Sequence, residues 1–220
     1  MNHPVPLRRE RVVRGTWYVV HATMLEKSLV LIKPDGVQRG LISEIIGRFE
    51  HVGLKLVAIK MVHPTYDDVE KHYTLTDEWM LGVYTKAKAK YESVGEKFPF
   101  TDHQTYGKSI KAGLVNFLKS SPVVAMVWEG ETAVSLIRKM VGSTEPASAL
   151  PGTIRGDLSH DTYALSNEQN RPIRNLVHAS GNVAEANHEI PIWFTDVELY
   201  KYEHVNDRVQ YDPDWFLPKE

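Results

Sequence analysis

The chain has 220 residues, 42% of them apolar and 25% charged, which predicts a soluble globular protein with one substantial core. Its net charge of −2 divides unevenly: residues 1–27 carry Arg8, Arg9, Arg11, Arg14 and Lys27 against Glu10 and Glu26, leaving −5 on the rest. That acidic body argues against a nucleic-acid partner, which needs a broad basic surface. The lack of cysteine excludes disulfides, a thiolate nucleophile and sulfur-ligated zinc, and fits a cytoplasmic location. No apolar run approaches the roughly 20 residues of a membrane helix, so no membrane partner is expected.

Residues 1–27 read as an N-terminal extension, either a disordered tail or a targeting or membrane-surface arm, ahead of a domain spanning 28–220. Ser28–Lys33 reads as a buried strand. Leu41–Val52 reads as an amphipathic helix with Leu41, Ile42, Ile45, Ile46 and Phe49 at helical spacing, stopped by Gly53. Leu54–Val62 is β-branched and apolar enough for a second strand, and Tyr66–Tyr73 reads as a short helix entered through Pro64-Thr65. Residues 77–111 are charged and aromatic, helical around Lys86–Glu92 and broken at Gly95 and Pro99. Ala112–Lys119 predicts a helix, Val123–Trp128 a strand and Thr132–Val141 a helix. Residues 142–172 lack apolar periodicity, and a loop of that length is usually functional. A strand over Asn175–Ala179, a helix over Val183–Glu189 and a tail from about 195 complete the chain. This alternation predicts a single α/β (α+β) domain of ferredoxin-like βαββαβ plan, an antiparallel sheet with helices on one face.

Three strings carry chemistry: Leu31 to Gly40, Pro151 to Asp157, and Arg174 to Gly181. His178 ends a predicted strand and is followed by Ala179, Ser180 and Gly181, which leave room for a large group to approach its ring. Neutral imidazole is a competent nucleophile near pH 7. Lys33, Arg138, Arg155 and Arg174 supply cations from different segments, as a polyphosphate requires. Glu189, eleven residues after His178, is placed to accept from one ring nitrogen and leave the other free. Neither a P-loop, nor a dinucleotide-binding glycine fingerprint, nor His-Glu-x-x-His is present, so metal ligands held by the protein are not expected. The Arg155-Gly156-Asp157 triplet is too short to be read as an adhesion motif.

With Pro122 to Gly130 as a fourth string in the right order, the chain resembles the nucleoside diphosphate kinases from about Ser28 to Phe194. The resemblance implies ping-pong exchange of a γ-phosphate between ATP and other nucleoside di- and triphosphates, Mg²⁺ carried with the nucleotide phosphates, and a homo-oligomer, tetramer or hexamer. It places the phosphohistidine on His178, modified at Nδ1. Phosphate contacts fall on Lys33, Arg138, Arg155 and Thr144, and the ribose contact on Asn175 with Lys33. Hydroxyls near the histidine fall on Tyr73 and Ser180, the orienting glutamate on Glu189, and the apolar base contacts on Ile110 and Leu114.

The chain departs from that pattern in several places. Gly181 and Asn182 stand where the family commonly has Asp and Ser, Ile110 stands where it has an aromatic ring, and 158–171 is longer than usual. Residues 77–108 form an insertion beside the nucleotide cleft, readable as a lid over the base or as an oligomer contact. Two rival functions stay open on the sequence: a nucleotide-binding module without catalysis, and a phosphocarrier passing phosphate from His178 to another protein.

Overall fold

The computed structural model describes residues 25–93 and 95–217, with the backbone of 11–13 and 16–18. Most of the predicted extension therefore lies outside the described residues. Within it, β1 (Arg11–Val13) and β2 (Thr16–Tyr18) pair antiparallel, although no strand period is legible there.

The main sheet holds four antiparallel strands, β3 (Leu25–Ile32), β4 (Lys55–Val62), β5 (Val123–Glu131) and β6 (Val177–Ala179), in the order β4-β5-β3-β6. The first strand begins at Leu25, not Ser28. Leu25, Glu26 and Lys27 pair with Glu131, Gly130 and Glu129, so the predicted boundary after residue 27 cuts through a strand.

Helices cover both faces of this sheet rather than one. Leu29 and Leu31 join one core cluster, Val30 and Ile32 the other, because successive side chains of a strand point to opposite faces. One face is covered by α2 (Ile42–His51) and α6 (Ala133–Val141), which bury Ile45, Phe49, Ile137 and Val141. The other is covered by α3 (Tyr66–His72), α5 (His103–Leu118) and α9 (Val183–Trp193), through Val69, Val115, Leu118, Ala186 and Ile190. The continuous apolar runs of β3 and β5 are thereby buried on both faces. Each fully enclosed side chain contributes about 1.5–3 kcal/mol.

Short α1 (Pro34–Gln38) follows β3, with Pro34 in its first turn, where a missing N–H costs nothing. The segment from 77 to 111 is helical on either side of a non-helical stretch over 95–102, where the predicted breaks at Gly95 and Pro99 fall. It forms α4 (Asp77–Ser93) and the front half of α5, which Asp102 caps by accepting from the Thr105 amide. Sequence periodicity finds only part of each, around Lys86–Glu92 and Ala112–Lys119, because much of α4 faces solvent, with Met80 its one buried residue. Residues 142–172 also carry structure: α7 (Ile154–Leu158) and α8 (Tyr163–Glu168), capped by Thr153 and Thr162. Helix α9 continues through Pro191, past its predicted end at Glu189. Burial of Ile190 and Trp193 holds its last turn in place. The tail folds back: the Tyr200 amide donates to Val57 O, and Lys55 meets Asp207 of α10 (Val205–Tyr211) at 3.0 Å.

Candidate active site

The site is built where the loop after β3 meets the turn before β6. The string Lys33-Pro34-Asp35-Gly36 clasps that turn. The Lys33 amide donates to Leu176 O at 2.8 Å, and Asp35 Oδ2 accepts from the Leu176 amide at 3.0 Å. Gly36 permits the approach, since a Cβ there would stand 2.7 Å from Ile32 Cγ2 and 3.0 Å from Leu176 O. These bonds hold Leu176 at φ 68°, a strained conformation for a branched residue, two positions before His178.

His178 pairs across β3 with Leu31, which orients its side chain toward the face carrying α3 and α9. Its Nε2 donates to Glu189 Oε1 at 2.9 Å, and the second carboxylate oxygen accepts from Ser180 Oγ at 2.6 Å. Ser180 is in turn fixed by the Leu29 amide at 3.2 Å. Glu189 is buried, so both bonds are charge-assisted and screened from water. With Nε2 committed, Nδ1 is the nitrogen left with a free lone pair. Tyr73 stands beside this group. Burial, and then the Glu189 charge, push its hydroxyl well above the usual phenol range, so it stays protonated.

Lys33 Nζ donates to Asn175 Oδ1 at 2.8 Å, and Asn175 Nδ2 to Thr144 O at 2.9 Å. Burial first, and then the neighbouring Arg155, lower the Lys33 ammonium to about 8, with Asp35 partly offsetting them. Arg155 is a crosslink as well as a cation. It donates to the carbonyls of Asn175, Gly142, Ser143 and Val177 at 2.8–3.2 Å, which uses most of its five N–H groups. Burial and the nearby Arg138 lower it to about 10. Its glycines and aspartate explain the rest of the string. Gly156 packs against Leu150 O, the Gly152 amide donates to Asp157 at 2.7 Å, and Asp157 pairs outward with Arg48.

One hydrogen-bonded assembly therefore joins His178, Glu189 and Ser180, and a second joins Lys33, Asn175, Thr144 and Arg155. The Arg155 bond to Val177 O links them through the residue before His178. Arg138 is exposed on α6, close enough to lower Arg155. Ile110 and Leu114 lie one turn apart on α5, half-buried; between them, Gly113 faces Pro172, with a Cβ position 3.4 Å from the proline ring. Arg174 is exposed, and its backbone rather than its guanidinium is bonded, the amide to Asp161 and the carbonyl to Ser159.

Several residues escape a reading of the sequence alone. Asp35 and Gly36 lie inside a quoted string, yet their task appears only when the Leu176 turn is folded against them. Asp161 accepts from Arg171 at 2.7 and 2.9 Å and from the Arg174 amide, anchoring the long loop before Asn175. His72, one of ten histidines, packs its ring against His178 at 4.4 Å. Glu185 fills the space at Gly181: it accepts from the Gly181 amide at 2.8 Å, and a Cβ at 181 would stand 2.5 Å from its carboxylate.

Among the described residues, ligand atoms of His72, His178 and Glu189 lie within 4.8 Å of one another. His178 and Glu189 bond each other, and His72 Nδ1 accepts from the Trp193 indole, so these ligand atoms are engaged within the protein. The cations Lys33, Arg138 and Arg155 suit the oxygens of a polyphosphate and offer no oxygen ligand to a metal of their own. No described helix is long and apolar enough to cross a membrane.

The family model for nucleoside diphosphate kinase matches residues 26–95 and 86–199. A nucleoside diphosphate kinase of Pyrobaculum aerophilum is 44% identical over 179 residues, 80% of this chain and 98% of the relative. One of Borreliella burgdorferi is 39% identical over 188 residues, 86% and 98%. The crystal structure of the Pyrobaculum enzyme superposes with a TM-score of 0.77 over 80% of this chain and all of that one, at 42% identity. The Borrelia enzyme, in a transition-state mimic with vanadate and ADP, gives 0.70 at 37% identity, over 86% of this chain and 99% of that one. By its family match, its relatives and the fold that carries its histidine, the chain belongs to the nucleoside diphosphate kinase family.

Proposed function

We propose that the protein exchanges the γ-phosphate between nucleoside triphosphates, ATP among them, and nucleoside diphosphates through a phosphohistidine on His178. The observation that carries this reading is the 2.9 Å bond from His178 Nε2 to buried Glu189, which leaves Nδ1 as the nucleophilic atom beside a set of fixed cations. In the first half-reaction the Nδ1 lone pair forms a bond to the γ-phosphorus. The bond from that phosphorus to the bridging oxygen breaks, and the diphosphate leaves with the electron pair. Lys33, Arg138, Arg155 and Thr144 hold the phosphate chain and stabilise its spreading charge, and Asn175 with Lys33 holds the ribose. Glu189 balances the positive charge growing on the imidazole, while Ser180 and Tyr73 hold Glu189 and the ring in place. In the second half-reaction a β-phosphate oxygen of the acceptor attacks and frees the histidine.

Mg²⁺ arriving with the nucleotide would neutralise part of the phosphate charge beside Lys33, Arg138 and Arg155. Ile110 and Leu114 would meet the base through apolar contact opposite Pro172, which suits tolerance of different bases. The α4–α5 pair reads as a lid, supported by Lys90 Nζ standing 5.9 Å over the Tyr163 ring of α8. The oligomer, tetramer or hexamer, and the cytoplasmic location remain part of the same reading.

The test is exchange from Mg-ATP to a second nucleoside diphosphate by the wild type beside His178→Ala. Transfer by the wild type alone is expected. Steady-state turnover by a folded His178→Ala protein would refute the role of His178.

A further inference from the structure

His72 is a buried titratable ring to which the transfer reaction assigns no task. It ends α3, and its side chain is wholly enclosed. The ring stands 4.4 Å from that of His178 at an interplanar angle of 80°, edge to face. Its Nδ1 accepts from the Trp193 indole N–H at 3.3 Å and lies 3.8 Å from Glu189 Oε1. Its Nε2 is buried and has no hydrogen-bond partner among the described residues.

We propose that His72 is a positioning residue for the nucleophile: its ring is the wall that fixes the plane of His178, and its indole-bonded Nδ1 leaves Glu189 Oε1 to His178 alone.

The indole N–H can only donate, so Nδ1 must present a lone pair and the neutral ring carries its proton on Nε2. Two acceptors, Nδ1 and Glu189 Oε1, then face each other without a proton between them, and the carboxylate keeps its bond to His178. A proton on His72 Nδ1 would reverse this. It would draw Glu189 away and release His178 to the tautomer protonated on Nδ1, which has no lone pair for attack. The groups facing His72 oppose that protonation. Burial comes first, followed by His178 on β6, Lys33 after β3 and His188 on α9, and together they lower its pKa well below the usual histidine range. Among the described residues, Glu189 is the carboxylate that faces it and would favour it, and Tyr73 stands neutral beside the ring. A phenylalanine would fill the same space without the unpaired Nε2–H but would leave the buried Trp193 indole N–H without its acceptor, so the acceptor at Nδ1 is what the histidine adds.

The inference rests on His178 being the nucleophile, which loss of transfer in His178→Ala tests separately. The experiment compares wild type, His72→Phe and His72→Asn in steady-state exchange, with ³¹P NMR of the phosphoenzyme and thermal unfolding. Phenylalanine keeps a ring without the acceptor, and asparagine restores an acceptor near Nδ1. The expected result for His72→Phe is a fall in kcat of about 10- to 100-fold with KM for the diphosphate within twofold, the cost of a misplaced nucleophile. A fraction of the phosphate should shift to Nε2 of His178, and His72→Asn should recover part of the lost rate. Wild-type kcat in His72→Phe, a matching rise in KM, or phosphate confined to Nδ1 with no recovery in His72→Asn would overturn the proposal. Should His72→Phe not fold, His72→Asn against His72→Ala decides it. Asparagine must turn over faster than alanine at equal KM, and equal rates would overturn the role.

Discussion

Replacing Glu189 with glutamine tests how much of the transfer depends on the charge behind the nucleophile. The substitution keeps the shape of a buried side chain and can keep both of its contacts, 2.9 Å to His178 Nε2 and 2.6 Å to Ser180 Oγ. Ser180 Oγ already accepts from the Leu29 amide and has a second lone pair for an amide N–H. What disappears is the charge. A hydrogen bond to a charged partner is worth about 1.5–3 kcal/mol and a neutral one about 1 kcal/mol. The ring becomes more positive as Nδ1 bonds to phosphorus, so the loss falls on the transition state. A loss of about 1.5 kcal/mol slows phosphorylation roughly 10-fold, and complete loss of a 3 kcal/mol bond slows it about 150-fold. Rapid-quench measurement of phosphoenzyme formation from Mg-ATP reads this directly. KM should hold, because neither oxygen of Glu189 touches Lys33, Arg155 or Asn175. A rate within threefold of wild type would show that Glu189 orients the ring without supplying charge.

Lys33, lowered to about 8 by burial and Arg155, should lose its proton as the pH passes that value, so diphosphate affinity should weaken above it. If the charged form alone binds, affinity at pH 9 falls about 10-fold from pH 7; Lys33→Arg should flatten the profile, and calorimetric titration across pH 6.5–9.5 measures both. Asp161, held at about 2 chiefly by its bonds to Arg171, contributes stability that is fully present above the usual aspartate range and lost as the pH falls through about 2. Asp161→Asn should therefore cost about 2 kcal/mol at pH 7, with the difference from wild type shrinking at pH 3, as read by urea unfolding. The same variant should raise KM for nucleotides, because the Arg174 amide bonded to Asp161 precedes Asn175.

The sequence by itself determined the order of the elements that form the sheet, because β3 and β5 are apolar runs and α2 and α6 carry one-sided apolar spacing. The strings that meet at the site were also legible, through the family resemblance they carry, although the bond of Lys33 to Asn175, 142 positions away, is made only by the fold. Local pattern could not reach the features set by distant contacts. Two-sided burial of the sheet depends on which helices return to which face. The length of α4 and α5 depends on caps and on an aromatic cluster around Phe98, whose neighbours include Tyr84 and Tyr106. Pro191 stays helical only because Trp193 and Ile190 are buried beyond it. Arg155 looked like a phosphate ligand and proved also to be the tie between the segments 142–143 and 175–177. His72 precedes Tyr73, but nothing in the chain marks its own ring as part of the site. Its contact with His178 joins residues more than a hundred positions apart, and only tertiary packing brings those two rings to 4.4 Å.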